Sequence, residues 1–119
     1  YNANPDSVRA GIEVLAATIG RKILVLGDMG EIGEASGQYH DEIGGYAKSQ
    51  GVDLLFGIGD ACQQAVRNFG EGARYFSDID KLIAAVNREL GPETTVLVKG
   101  SRFMKMERVA DAIVSGEKN

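Results

Sequence analysis

The run Val96-Leu97-Val98-Lys99-Gly100-Ser101-Arg102 changes abruptly from apolar and β-branched residues to a basic turn that contains a glycine. This pattern predicts a strand that leads directly into a helix over residues 103–115. The first N–H groups of such a helix would be unpaired and would lie beside two cations and a Ser hydroxyl, so the turn should favour an anion. The alternative is an ordinary tight turn in which Ser101 caps the helix and the cations are solvated.

The rest of the chain repeats this alternation of strand and helix. After a first helix that ends near Gly20, apolar runs over residues 23–26, 52–58, 74–76 and 94–98 predict four strands, each followed by a helix. Such an order is typical of a mostly parallel sheet with right-handed crossovers. The sequence therefore predicts an α/β fold, a single Rossmann-like domain of three layers with helices on both faces of the sheet. The carboxyl ends of the strands should share one edge, where such sheets bind ligands.

Local signals place the ends and faces of the helices. Asn4 is expected to cap the first helix with Pro5 in its first turn. The third helix should be capped by Asp60, and the fourth should begin with a capping box formed by Ser77 and Asp80. The adjacent Gly44-Gly45 predicts close packing, because two glycines weaken a helix unless something approaches them. The apolar face of the first helix is predicted to comprise Val8, Ile12, Leu15, Ala16 and Ile19.

The loop after the first strand, residues 27–37, is rich in glycine and acidic residues. Its glycines do not match the G-x-G-x-x-G pattern, and its carboxylates would repel a pyrophosphate. A cation, a substrate ammonium or an Arg from elsewhere suits it better, and a mobile acidic surface loop is the alternative. If the first and last strands are neighbours, Asp28 should face Arg102 across one crevice, either as a salt bridge or as the two ends of a zwitterion site.

Composition excludes several functional classes. The chain has 119 residues, enough for one domain with a real core. Its 17 acidic and 13 basic residues give a net charge of −4 with no basic run, which argues against nucleic acid binding. There is no apolar run of the roughly 20 residues that a membrane span needs. The single cysteine, Cys62, excludes an internal disulfide, and the lone His40 has no metal ligand at suitable spacing, so no metal site is predicted.

Three stretches resemble one protein family: residues 1–7 (Tyr-Asn-Ala-Asn-Pro-Asp-Ser), residues 26–33 (Leu-Gly-Asp-Met-Gly-Glu-Ile-Gly) and residues 96–102, followed by Met-Glu-Arg-Val at 106–109. Together and in this order they are similar to the carboxyl-terminal domain of the MurF-type peptidoglycan ligases. The resemblance covers essentially the whole chain. The chain begins at Tyr1 and contains no Walker-type phosphate loop, so we expect a fragment of a longer ligase.

The resemblance implies a cytoplasmic bacterial enzyme of three domains. An amino-terminal domain would bind the UDP-sugar and a central ATPase domain would bind most of the ATP and Mg²⁺, and both are absent from residues 1–119. The intact enzyme would activate the carboxylate of UDP-N-acetylmuramoyl-tripeptide as an acyl phosphate, which the amine of D-alanyl-D-alanine then attacks. This domain would close over the substrates, so the isolated fragment is expected to be inactive.

The resemblance also implies roles for individual residues. Tyr1, Asn2 and Asn4 would lie at the hinge and reach toward ATP or the central domain. The basic turn, Lys99 with Ser101 and Arg102, would lie beside the dipeptide and the reacting phosphate. Weaker candidates, for the amine side of the dipeptide or for interdomain contacts, are Asp28 and Glu31. None of the residues in the chain is assigned as catalytic or as a metal ligand.

Two interpretations from other classes remain open. A stand-alone signalling receiver also places an Asp and a Lys at strand ends, but it needs an acidic pair after its first strand and a Pro after the Lys, and here Lys99 precedes Gly100. A protein-interaction module of the same fold would make the glycines at the strand ends incidental.

Overall fold

The computed structural model describes residues 4–29, 36–100 and 104–117, with the side chains of 114–117 excepted. In chain order the elements are α1 (Pro5–Ala16), β1 (Arg21–Gly27), α2 (Ser36–Ser49), β2 (Leu54–Ile58), α3 (Cys62–Phe69), β3 (Ala73–Phe76), α4 (Ile79–Glu89), β4 (Thr94–Lys99) and α5 (Glu107–Glu117). This order confirms the predicted alternation. Within these ranges no helix is both long and apolar enough to cross a membrane.

The sheet has four parallel strands in the order β3-β2-β1-β4. The chain passes from β1 outward to β2 and β3, and then returns to the other side of β1 to form β4. The first and last strands are therefore neighbours, which is the condition stated above for a shared crevice, with Leu26 opposite Lys99. The strand order reverses between β1 and β4, and the carboxyl ends of these two strands form the switch point at which parallel sheets bind ligands.

Helices cover both faces of the sheet, which explains why β1 is continuously apolar. Leu24 and Leu26 pack with side chains of α1, α2 and α3, whereas Ile23 and Val25 pack with side chains of α4 and α5. All four are fully buried. A fully buried aliphatic side chain contributes about 1.5–3 kcal/mol relative to an exposed one, so this strand is central to the stability of the domain.

The start of α1 confirms its predicted cap, but its predicted apolar face is too long. Asn4 has an extended backbone and its Oδ1 accepts a hydrogen bond from the N–H of Ser7 at 2.9 Å, with Pro5 in the first turn. The helix ends at Ala16, so the chain turns before Ile19, which is 85% exposed. The prediction that Ile19 belongs to the core face is wrong because the helical periodicity does not continue past Ala17.

Close packing at the paired glycines is confirmed. A Cβ atom on Gly44 would lie 2.1 Å from the carbonyl oxygen of Ala65, and one on Gly45 would lie 2.7 Å from Nδ2 of Asn68. The absence of side chains at these two positions lets α2 approach the backbone of α3 directly.

Two predicted helix caps are wrong. The N-cap position of α3 is Ala61 and not Asp60, because Asp28 from the end of β1 supplies the acceptors that this helix end requires. The N-cap of α4 is Asp78, whose extended backbone lets its Oδ1 accept from the N–H of Asp80 at 2.9 Å. The cap therefore lies one residue after the predicted Ser77.

Helix α5 begins later than the predicted residue 103. Its first residue is Glu107, after Lys105 with a positive φ of 52°, and the predicted cap Ser101 lies outside the described residues. The physical reason is the fully buried Met106, whose Cγ lies 2.4 Å from the position of a Cβ on Gly100. A Cβ on Gly27 would lie 2.7 Å from its sulfur. The two glycines make room for Met106 between the ends of β1 and β4, and α5 starts only after this contact is made.

Candidate functional site at the carboxyl ends of β1 and β4

Lys99, the last residue of β4, points along α1 toward the amino terminus of that helix. Its Nζ donates to Oγ of Ser7 at 3.2 Å in a partly buried setting. The stem passes Gly11, where a Cβ would lie only 3.3 Å from Cε of Lys99. The absence of a side chain at Gly11 therefore lets the ammonium reach the first turn of α1.

Ser7 joins two of the predicted site residues. Its backbone N–H donates to Asn4, and its hydroxyl accepts from Lys99. The predicted hinge or nucleotide residue Asn4 and the predicted substrate residue Lys99 therefore meet on one side chain. Sequence reasoning did not assign a role to Ser7, although its position three residues after a capping Asn is a signal that its N–H would be held.

The electrostatics of this corner suit an anion. The amino terminus of a helix carries a partial positive charge, so a cation there is unfavourable by about 0.3–1 kcal/mol. The hydrogen bond to Ser7 offsets a similar amount of free energy. The positive charge of the Lys99 ammonium thus adds to the partial positive charge at the start of α1. An anion bound there would be stabilised by both charges.

Asp28 lies at the same edge of the sheet, but its carboxylate serves α3. Oδ2 accepts from the N–H of Ala61 at 3.2 Å and Oδ1 accepts from the N–H of Cys62 at 3.0 Å. A Cβ on Gly59, which has a φ of 104°, would lie 2.5 Å from Cγ of Asp28, so this glycine makes room for the carboxylate. The described contacts of Asp28 therefore point toward α3, and the predicted pairing with Arg102 lies outside the described residues.

Three potential metal ligands, Asp28, His40 and Cys62, have donor atoms within 4.8 Å of one another. Both oxygens of Asp28 accept backbone N–H groups, and His40 Nε2 accepts the N–H of Met29 at 3.0 Å. The thiol of Cys62 donates to the carbonyl of Leu26, and burial, with the nearby Asp28 carboxylate, raises the pKa of this thiol well above its ordinary value. A cation would have to displace the N–H of Met29 from His40 and the proton from the Cys62 thiol, so the donor set does not fit a metal.

Five of the predicted site residues lie outside the described ranges: Tyr1, Asn2, Glu31, Ser101 and Arg102. Their roles remain predictions. Of the three that are described, Asn4 and Lys99 come together at Ser7, and Asp28 is bound separately to α3.

The structural role of Asp28 leads to a first prediction. In Asp28→Asn one acceptor becomes an NH₂ group that faces a backbone N–H, so we expect a loss of about 1–3 kcal/mol in the free energy of unfolding. Urea denaturation of the domain measures it. Asp60→Asn is the matched control, because Asp60 is exposed and does not cap the helix, and should change stability by less than about 0.5 kcal/mol. Equal stability of the two variants would contradict the capping role.

The chain belongs to the Mur ligase family, since residues 1–102 match the model of the Mur ligase glutamate ligase domain. Within that family it is a carboxyl-terminal domain of the MurF type, as its sequence relatives and structural neighbours agree.

Among its relatives is the UDP-N-acetylmuramoyl-tripeptide–D-alanyl-D-alanine ligase of Buchnera aphidicola, 38% identical over 99% of this chain and 26% of the relative. The Escherichia coli enzyme of the same name is 36% identical over 95% of this chain and 25% of its own length. A MurF ligase from Thermotoga maritima, solved in complex with ADP, superposes with a TM-score of 0.86 at 26% identity, over 99% of this chain and 27% of that one. The chain thus spans about a quarter of the length of the relatives it matches.

Proposed function

We propose that the chain is the carboxyl-terminal domain of an ATP-dependent ligase that joins D-alanyl-D-alanine to UDP-N-acetylmuramoyl-tripeptide in peptidoglycan precursor synthesis. The observation that carries this proposal is the placement of Lys99 on Ser7, at the Asn4-capped start of α1 and beside the switch point of the sheet. The names of the relatives and the ADP complex of the Thermotoga maritima protein support the substrate and nucleotide classes. The receiver-like and interaction-module interpretations gain no support from these matches.

The proposed reaction has two steps. The tripeptide carboxylate attacks the γ-phosphorus of ATP, which forms an acyl phosphate and releases ADP. The amine of D-alanyl-D-alanine then attacks the acyl carbon and loses a proton, and phosphate leaves as the amide bond forms. Negative charge grows on the transferring phosphoryl group and on the tetrahedral intermediate. A positioned cation such as Lys99 stabilises that charge, and fixing the amine near the acyl carbon supplies proximity.

The division of labour between domains follows from what this chain offers. The carboxylate of Asp28, at the relevant edge, is held against the start of α3 by two backbone N–H groups. We assign the metal and most of the ATP to a central domain, and the UDP-sugar to an amino-terminal domain. Closure of the present domain would complete the site and exclude water from the acyl phosphate. The setting proposed for the whole enzyme is the bacterial cytoplasm.

Individual residues then take the following proposed roles. Tyr1, Asn2 and Asn4 lie at the hinge on the nucleotide side. The basic turn, in which Ser101 and Arg102 follow Lys99, faces the dipeptide and the reacting phosphate. The acidic candidates for the amine side of the dipeptide or for interdomain contacts are Asp28 and Glu31, and the contacts of Asp28 with α3 favour Glu31.

The proposal is tested with the intact protein that carries this domain. It is incubated with UDP-N-acetylmuramoyl-tripeptide, D-alanyl-D-alanine and Mg-ATP, and the products are followed by mass spectrometry and ADP release. We expect the UDP-linked pentapeptide and one ADP for each amide formed. A shortened protein that lacks residues 1–119 should form no pentapeptide. The domain of residues 1–119 by itself should also be inactive. Failure of the intact protein to form the pentapeptide from these substrates would contradict the proposal.

A further inference from the structure

We propose that His40 is a positioning residue of the ligase site, which fixes the backbone at the carboxyl end of β1 and at the start of α2. The inference rests on the proposed function and assigns a role to a buried imidazole that the reaction described above does not use. It concerns the two residues that flank segment 30–35, Met29 and Ser36.

His40 is fully buried, and both of its ring nitrogens bind backbone groups. Nε2 lies 3.0 Å from the backbone nitrogen of Met29, and Nδ1 lies 2.6 Å from the carbonyl oxygen of Ser36. Since a backbone N–H can only donate, Nε2 is an acceptor and carries no proton. Nδ1 then carries the proton and donates to Ser36. The network therefore requires one neutral tautomer.

These two bonds connect the end of β1 to the start of α2. Met29 follows β1 by two residues and its side chain is fully buried, while Ser36 is the first residue of α2. On the other side of Met29, the Asp28 carboxylate is bound to the start of α3. The end of β1 is thus held from two directions. Asp28 binds it to the start of α3, and His40, which lies on α2, binds it to that helix.

The imidazole serves two backbone groups at once. An apolar side chain of similar volume would fill the same space but would leave the buried N–H of Met29 without this acceptor. What the imidazole adds is a fixed separation between the N–H of Met29 and the carbonyl of Ser36. It therefore sets where the glycine-rich acidic loop leaves β1 and where it joins α2, next to the switch point at which Lys99 lies.

Two substitutions separate the two bonds. In His40→Asn the amide can still donate to Ser36 from a position close to Nδ1, but no atom reaches Met29. In His40→Gln the longer side chain can place an oxygen near the former Nε2 and accept from Met29. The matched control is Val86→Ala, a buried position on α4 in the other core layer, which lowers stability without touching this edge.

The variants are made in the intact ligase, and two readouts are compared with those of the wild type. Hydrogen exchange of the peptide that contains the Met29 amide should be faster in His40→Asn and close to wild type in His40→Gln. The KM for D-alanyl-D-alanine should rise about tenfold or more in His40→Asn, with kcat and the KM for ATP within about twofold, and His40→Gln should recover most of the difference.

Three results would overturn the inference. One is an unchanged exchange rate at Met29 in His40→Asn. Another is faster exchange with an unchanged KM for the dipeptide. The third is a change in kcat and in every KM of His40→Asn that Val86→Ala also shows when the two variants are equally stable. If His40→Asn does not fold, the two readouts of His40→Gln decide. Met29 exchange and the KM for the dipeptide that stay near wild type together, or rise together, support the inference, and a change in one without the other overturns it. Hydrogen exchange needs no turnover, so an inactive wild type would count against the proposed function and leave the Met29 result to decide the role of His40.

Discussion

Replacing Lys99 with Gln is expected to lower kcat/KM of the intact ligase by about a hundredfold or more. The Nζ of Lys99 lies 3.2 Å from Ser7 Oγ at the start of α1, where no carboxylate of the described residues pairs with it. The charge therefore has no evident structural use in this part of the chain, and its proposed use is to stabilise negative charge on the reacting groups. Steady-state kinetics with each of the three substrates measure the effect.

Stability separates this prediction from a general loss of structure. Removing the ammonium loses one hydrogen bond but relieves an unfavourable interaction with the helix terminus, and these effects are of similar size. The free energy of unfolding should therefore change by less than about 1 kcal/mol. Lys22→Gln is the matched control, because Lys22 also donates from Nζ to a single oxygen, the carbonyl of Gly20, but at the amino end of β1. Similar activity in the two variants would contradict the role of Lys99.

Substitution of Gly44 by Ala is expected to give the second large effect, on stability. The new Cβ would lie 2.1 Å from the carbonyl oxygen of Ala65 and 2.8 Å from its Cα. These are rigid backbone atoms, so α2 and α3 must move apart, at a cost of about 1–3 kcal/mol or more. Helix propensity favours Ala over Gly by about 1 kcal/mol, so it is the contact with Ala65 that makes the substitution destabilising.

The chain contains a matched control for this prediction. Gly37 lies in the same helix, and a Cβ there would have no atom of the described residues within 4 Å. Gly37→Ala should therefore stabilise the domain by up to about 1 kcal/mol. Urea denaturation of both variants measures the difference. A Gly44→Ala domain as stable as the Gly37→Ala domain would show that α2 does not approach the backbone of α3 this closely.

The fold was predictable because its main signals are local. The apolar run of β1 is continuous since both faces of the strand are covered, and this is the pattern expected for a central parallel strand. Asn4 and Pro5 mark the start of α1 through contacts within a few residues. Four strands, their parallel arrangement and the shared edge of their carboxyl ends all followed from such patterns.

The features that were missed depend on contacts between distant segments. The local rule selected Asp60 as the cap of α3, but the N-cap position is Ala61, and Asp28, which follows β1, supplies the acceptors. The start of α5 was placed too early because Met106 packs against Gly27 and Gly100. In each case one side chain from elsewhere overrode a signal that was correct for an isolated segment.

The candidate site, like the fold, was predictable only in its local features. Lys99 was identified because a basic turn follows a strand, but its partner Ser7 is 92 residues away in sequence, and no local pattern could pair them. His40 was interpreted as a lone histidine, since the two backbone groups that it binds belong to different segments. The sequence could therefore indicate the edge of the sheet that carries function, but not which side chains meet there.

The central claim, that this domain contributes to the ligase site through the start of α1 and the end of β4, is tested most directly by hydrogen exchange of the intact enzyme. Exchange is compared with and without UDP-N-acetylmuramoyl-tripeptide, D-alanyl-D-alanine and a non-hydrolysable ATP analogue. We predict slower exchange in peptides that contain Ser7 and Lys99, with no change in β3 at the far edge of the sheet. Unchanged exchange at Ser7 and Lys99 when the three ligands are bound, or protection confined to β3, would contradict the account.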